Sequence, residues 1–193
     1  KLIADVGLIG LPNSGKSTFL SVNSNAKPKI ADYPFTTLIP QLGIVEVDGN
    51  EIVMADIPGL ISGAHLGKGL GIQFLGHIER CQALIHLIDG NSENIIEDYK
   101  TIKNEVKKYK KLLDSKPTFV AISKADAVSN KKMEYNIEAL KEYEPILFVI
   151  SSISRKGIKE VLRAVQKIRD ENEMELALSN NKEINSLPKW EPK

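Results

Sequence analysis

At 193 residues, 42% apolar and 26% charged, the chain is long enough for one α/β domain with a full core. A net charge of +1 points to no strongly acidic or basic partner, and a single cysteine, Cys81, excludes an internal disulfide and fits a reducing compartment. No apolar stretch approaches membrane-spanning length and no signal peptide is visible, so a cytoplasmic protein without membrane contact is expected. The chain opens on Lys1 directly before a strand, without an initiator Met, as a piece cut from a longer protein would.

The first expected element is a strand over 2–9, closing on the apolar run Val6-Gly7-Leu8-Ile9. Gly10-Leu11-Pro12-Asn13-Ser14-Gly15-Lys16-Ser17 follows, and a helix over 16–22 begins at once with Ser17-Thr18-Phe19-Leu20. The string reads G-x-x-x-x-G-K-S between a strand and a helix, the context of a phosphate-cradling loop. Its glycines let the backbone close around phosphate oxygens, with successive N–H groups and the helix N-terminus facing the anion. Lys16 would reach the outer phosphates and the Ser17 hydroxyl would bind Mg²⁺. The bland alternative is a chance match in a glycine-containing turn.

A loop over 25–40 leads to strands over 41–47 and 51–55, joined by Asp48-Gly49-Asn50, which reads as a hairpin turn between antiparallel strands. Asp56-Ile57-Pro58-Gly59 stands at the end of the second of these. An Asp at a strand end beside a phosphate loop is the Walker-B arrangement, its carboxylate holding the Mg²⁺ shell through water. Gly59, lacking a Cβ, lets its N–H approach a γ-phosphate. Alone, the string would be an ordinary D-x-P-G turn. The loops over 25–40 and 57–71 are long for a compact domain and read as functional or disordered.

Further along come a helix over 72–80, a strand over 83–88 and a helix over 95–113. The last carries Lys100, Lys103, Lys107, Lys108, Lys110 and Lys111, either a solvated face or an rRNA contact. His77 and His86 read as structural, and His65 in the long loop as catalytic, structural or dispensable. A strand over 118–122 ends at Ser123-Lys124-Ala125-Asp126. A helix over 131–143, a strand over 146–150 leading into Ser151-Ser152-Ile153, and a helix over 158–173 complete the pattern. Residues 1–173 make the domain; 174–193 read as a polar tail with no convincing period from Leu176 onward, and Trp190 in it packs on the domain or marks a partner contact. The alternation predicts a doubly wound α/β fold of the P-loop NTPase type. Its six-stranded sheet is mostly parallel, covered by helices on both faces, with one antiparallel edge strand.

S-K-x-D after the fifth strand matches the guanine-reading N-K-x-D of GTPases at all but its first residue. Asp126 would accept hydrogen bonds from the ring N–H and exocyclic amine of guanine, donors that adenine does not present in that pattern. Lys124 would lay its aliphatic stem over the base plane. Ser123, shorter than Asn, is expected to lose hydrogen bonds that tie this loop to the base and to the phosphate loop, weakening nucleotide binding without changing specificity. Ser151-Ser152-Ile153 would supply a backbone N–H to the guanine carbonyl. A P-loop ATPase or nucleotide kinase is the competing class, and Lys124 with Asp126 argues against it.

With these motifs in this order the chain resembles the G domain of the Obg family of GTPases over residues 1–168. The family-specific strings are Ala31-Asp32-Tyr33-Pro34-Phe35-Thr36-Thr37, then Asp56-Ile57-Pro58-Gly59-Leu60 with Gly63-Ala64-His65 and Gly67-Lys68-Gly69-Leu70-Gly71, and Phe74-Leu75 with His77-Ile78-Glu79-Arg80. The resemblance implies GTP and GDP as ligands, two switch loops, and Thr37 as the switch ligand to Mg²⁺, with Thr36 a lesser candidate and Phe35 beside the nucleotide. Lys16, Thr37 and Gly59 become the catalytic set. It implies a monomer that binds the large ribosomal subunit, rRNA and proteins together, in subunit assembly or stress-linked growth control; the glycine-rich N-terminal domain usual in the family is absent from this chain. Leu60 stands where many small GTPases place the glutamine that orients the attacking water. Slow turnover follows, or water oriented by another group; an interaction module with negligible turnover is the alternative. GTPases of this type often carry an Asn where Asn13 stands, which would help hold a K⁺ beside the phosphates, or Asn13 simply tolerates a turn.

Overall fold

A computed structural model describes residues 4–25, 29–30, 40–57, 78–109 and 116–186 of the chain. In chain order it runs β1 (Ala4–Ile9), α1 (Lys16–Asn23), β2 (Lys29–Ile30), β3 (Gln41–Val47), β4 (Asn50–Asp56), β5 (Cys81–Asp89), α2 (Ile95–Tyr109), β6 (Thr118–Ser123), α3 (Asn130–Lys141), β7 (Leu147–Val149) and α4 (Ile158–Ser186). A single 3-10 turn, Ala125–Ala127, follows β6. The strands form one sheet in the order β2-β3-β4-β1-β5-β6-β7. β4, β1, β5, β6 and β7 are parallel, and β3 is antiparallel to β4. The six expected strands are all present. A two-residue seventh, β2, pairs antiparallel with β3 inside the stretch read as loop; two residues carry no periodicity, so pairing with a neighbour is its only signal.

Period-two alternation divides the core between the two faces. Val6 and Leu8 of β1, Ile52 and Met54 of β4, and Ile85 and Leu87 of β5 pack with Phe19 and Leu20 of α1 and Ile158, Val161, Leu162 and Val165 of α4. On the other face Ile9, Ala55 and Leu84 meet Ile102 and Val106 of α2, while Ile88, Val120 and Ile122 meet Tyr99 of α2 and Leu140 of α3. Each such aliphatic side chain taken fully from water contributes about 1.5–3 kcal/mol before entropy is charged against it. This two-sided burial is what a mostly parallel sheet requires.

The β3–β4 connection is the expected hairpin. Asp48 and Gly49 take φ of 49° and 82°, and Val47 pairs with Asn50, which is the two-residue type I′ turn that matches the strand twist. Arg163 of α4 grips the tip, its Nε 2.6 Å and Nη2 3.0 Å from the two carboxylate oxygens of Asp48, and Arg169 Nη1 donates to the Glu51 carbonyl at 2.6 Å. α4 continues to Ser186, through the stretch read as a tail. Its first turns are docked on the sheet through Ile158, Val161, Leu162 and Val165, and an established helix extends at little cost per added residue. Among the described residues no helix is long and apolar enough to cross a membrane.

Several expectations lie outside the described residues. These are Phe35, Thr36 and Thr37 of the first switch string, Pro58, Gly59, Leu60 and His65 of the second, His77, Lys110 and Lys111, and Trp190. So does most of the helix expected over 72–80, of which only Ile78 and Glu79 are described as helical.

Candidate nucleotide-binding site

The site sits at the C-terminal ends of β1, β4, β5 and β6, where ligands of open parallel sheets bind. Between β1 and α1 the chain turns through three residues of positive φ: Gly10 at 150°, Asn13 at 63° and Gly15 at 94°. Gly10 is also a close-approach position: a Cβ there would lie 2.3 Å from the Leu87 carbonyl oxygen and 2.6 Å from Ser14 Oγ. Such a succession turns the amides inward as an anion-binding nest. Among the described residues no side chain caps α1 at Gly15, so the first amides of the helix are available to an anion. Asn13 is exposed in the left-handed region that Asn tolerates, the geometry of the turn alternative, and it lines a 490 Å³ cleft with Gly15, Lys16, Ser17, Thr18 and Lys124.

Lys16 Nζ arches over the loop and donates to the carbonyls of Gly10 and Leu11, both at 2.9 Å. Burial lowers its pKa below the usual lysine value, and the carboxylate of Asp56 opposes that shift. Ser17 Oγ donates to Asp56 Oδ2 at 2.5 Å, bringing the two expected metal ligands together across β4 and α1. Asp56 is only 5% exposed, and its second oxygen, Oδ1, is buried with no hydrogen-bond partner among the described residues. A buried, unpartnered carboxylate oxygen next to a hydroxyl is the donor set a hard divalent cation takes, so these residues fit Mg²⁺. Ile57 is buried directly behind Asp56.

The loop expected to read the base is fastened to the loop expected to hold phosphate. Ser123 Oγ is buried at the end of β6, 2.8 Å from the Ser14 carbonyl oxygen and 3.1 Å from that of Ile88. The tie to the phosphate loop expected to be lost with Asn is therefore made by the shorter side chain, because β6 brings Ser123 directly against Ser14. Lys124 takes φ 58°, a left-handed conformation that costs a non-glycine residue about 1–2 kcal/mol. Asp126 is exposed on the 3-10 turn, and its Oδ1 accepts a 2.5 Å hydrogen bond from Ser151 Oγ. Ser151 is fully buried, accepts in turn from Ser154 N, and donates its own N–H to the Lys156 carbonyl. Ala125 N donates to the Ile150 carbonyl, so the turn carrying Asp126 is pinned to the end of β7.

Of the sequence-expected residues, the structure thus brings together Gly10 through Thr18, Asp56, Ser123, Lys124, Asp126 and Ser151. Ser152 and Ile153 lie on the turn beyond Ser151, with Ile153 exposed. Ser151 acts here through its side chain, which holds Asp126, while its backbone N–H is spent on the Lys156 carbonyl. Lys100 lies 4.6 Å from the Tyr143 ring and Lys103 pairs with Glu144 at 2.5 Å, so part of the basic face of α2 is spent within the domain. His86 is buried against Tyr99, and desolvation pushes its pKa down to about 3, which fits a structural role.

The tether makes a graded expectation. Ser123→Ala removes the hydroxyl between two buried carbonyls and should weaken GDP binding about five- to tenfold, the size of one neutral hydrogen bond. Ser123→Asn should change affinity little, because the tie already exists. Titration of a fluorescent GDP analogue checks both; clear tightening by Asn would show that serine leaves the loop loose.

A glycine-bearing loop of positive φ between β1 and α1, with Asp56 beside Ser17 and Asp126 beside Ser151, is the arrangement expected of a P-loop GTPase G domain. A family profile described as "50S ribosome-binding GTPase" matches residues 5–124, and the chain belongs to that family. The fold recurs in the G domain of the FeoB iron transporter of T. maritima, at 18% identity and a TM-score of 0.66, covering 85% of this chain and 97% of that one. Aquifex aeolicus Era bound to GDP·AlF4⁻ matches at 24% identity and a TM-score of 0.65, over 86% of this chain and 56% of that one. Era in complex with MgGDPNP and nucleotides 1506–1542 of 16S rRNA matches at 24% identity and a TM-score of 0.64, over 84% and 55%. The chain thus spans little more than half of the Era chains it matches.

Proposed function

We propose that this chain is the G domain of an Obg-like protein. It would be a Mg²⁺-dependent GTP switch with slow turnover that acts as a monomer in the cytoplasm on the large ribosomal subunit, in its assembly or in stress-linked growth control. The observation that carries the reading is the pair of hydrogen bonds from Ser123 Oγ to the Ser14 carbonyl and from Ser151 Oγ to Asp126, which would tie a base-reading carboxylate to a phosphate-binding loop. The family match and the strings at 31–37 and 56–80 support the ribosomal part.

Ser17 and Asp56, joined by Thr37, would hold Mg²⁺, which when bound neutralises charge on the outer phosphates. Lys16 would leave its two loop carbonyls partly for the phosphate oxygens. Gly59 would report the γ-phosphate through its N–H, and Thr37 would engage only while that phosphate is present, so hydrolysis releases both switches. Leu60 favours a second reading, a GTP-binding interaction module with negligible turnover.

Co-sedimentation with separated ribosomal subunits tests the proposal. The chain should travel with the large subunit in a non-hydrolysable GTP analogue and not in GDP, and Thr37→Ala should lose this difference while keeping GDP affinity. Equal binding in both nucleotide states, or binding to the small subunit, contradicts it.

A further inference from the structure

The geometry points to Asp89 as a positioning residue of the base site, acting through Lys124; this rests on Lys124 and Asp126 being the base-reading pair. Asp89 is the last residue of β5 and lies opposite Ser123 in the β5–β6 ladder. Its Oδ2 stands 2.6 Å from Lys124 Nζ, and its Oδ1 accepts the Asn91 N–H at 2.9 Å, so both oxygens are engaged. The backbone behind it is fixed as well. Gly90 N donates to the Ser123 carbonyl at 3.0 Å, and a Cβ on Gly90 would lie 2.7 Å from that oxygen. Asn136 of α3, buried to 1% exposure, donates Nδ2 to the Gly90 carbonyl at 2.9 Å.

The consequence lies in where the Lys124 side chain runs. Its backbone is held at φ 58° and its ammonium is anchored at the end of β5, so both ends of the aliphatic stem are fixed. A stem fixed at both ends offers a preformed apolar ledge for a purine face, and no side-chain entropy is lost when the base arrives. Both groups are partly exposed, 38% for Lys124 and 25% for Asp89, so the pair adds little as an ion pair. Its value is orientation. Freed from Asp89, the ammonium would sample solvent and the neighbourhood of Asp126.

The test is the dissociation rate of a fluorescent GDP analogue by stopped flow, for wild type, Asp89→Asn, Lys124→Ala and the double variant. Asp89→Asn is isosteric and keeps the bond from Asn91, so the fold should persist; thermal unfolding followed by circular dichroism checks this. Asp89→Asn should release nucleotide about tenfold faster, the scale of ordering one rotamer-rich side chain on binding. In the Lys124→Ala background the same change should add nothing, whereas a merely structural Asp89 would multiply the two losses. An unchanged rate in Asp89→Asn, or multiplying losses, overturns the inference. If wild type itself binds no guanine nucleotide, the functional reading fails with it, and the two failures are thereby told apart.

Discussion

Asp126→Asn should turn a guanine site into a xanthine site. The carboxylate sits exposed at the site with one lone pair of Oδ1 taken by Ser151, which leaves Oδ2 and the second lone pair of Oδ1 for the purine edge. Guanine presents two donors to it, and an amide in its place faces the exocyclic amine with a donor of its own. Each group left unpaired costs about 1–3 kcal/mol, so GDP and GTP should weaken by roughly 10²- to 10³-fold. Xanthine, with an acceptor where guanine has its amine, should gain by a comparable factor. Competition between GDP and XDP for the variant reads the inversion. Unchanged guanine binding would remove Asp126 from the base site. Loss of guanine binding without xanthine gain would mean that Asn cannot keep the hydrogen bond from Ser151.

Replacing Na⁺ by K⁺ at constant ionic strength should accelerate GTP hydrolysis, and Asn13→Ala should erase the gain. Leu60 can neither donate nor accept, so a water-orienting side chain at that position is ruled out by chemistry. Asn13 is exposed, left-handed and on the rim of the same cleft as Lys16 and Ser17, where an extra cation would meet the charge that develops during phosphoryl transfer. Neutralisation of that kind is worth about 10²- to 10³-fold, on the scale of one oxyanion donor. Leu60→Ala should leave the rate nearly unchanged. Identical rates in the two salts would reduce Asn13 to the turn residue that its φ of 63° already makes it.

What the sequence made legible followed from strong local signals. The phosphate loop was readable because its glycines, lysine and serine stand at fixed spacing between an apolar run and a helix start, and the structure places Gly10 where no Cβ fits. The hairpin was readable because Asp48-Gly49 is type I′ chemistry. Non-local features were not. Nothing near Ser123 in the chain announces that its hydroxyl reaches Ser14, 109 residues away. Asp89 looks like the end of any strand until β6 is laid beside β5. The continuation of α4 beyond Glu173 was hidden for a different reason: the extension of an established helix needs no amphipathic period of its own.

The central claim is that the site built on Lys16, Ser123, Lys124 and Asp126 selects guanine nucleotides, and displacement of a bound fluorescent GDP analogue tests it most directly. Unlabelled GTP and GDP should displace the analogue in the presence of Mg²⁺. ATP should fail even at about 10³-fold higher concentration, because a carboxylate built to accept two donors rejects a base that lacks them. Displacement by ATP at concentrations similar to those of GTP would contradict the account.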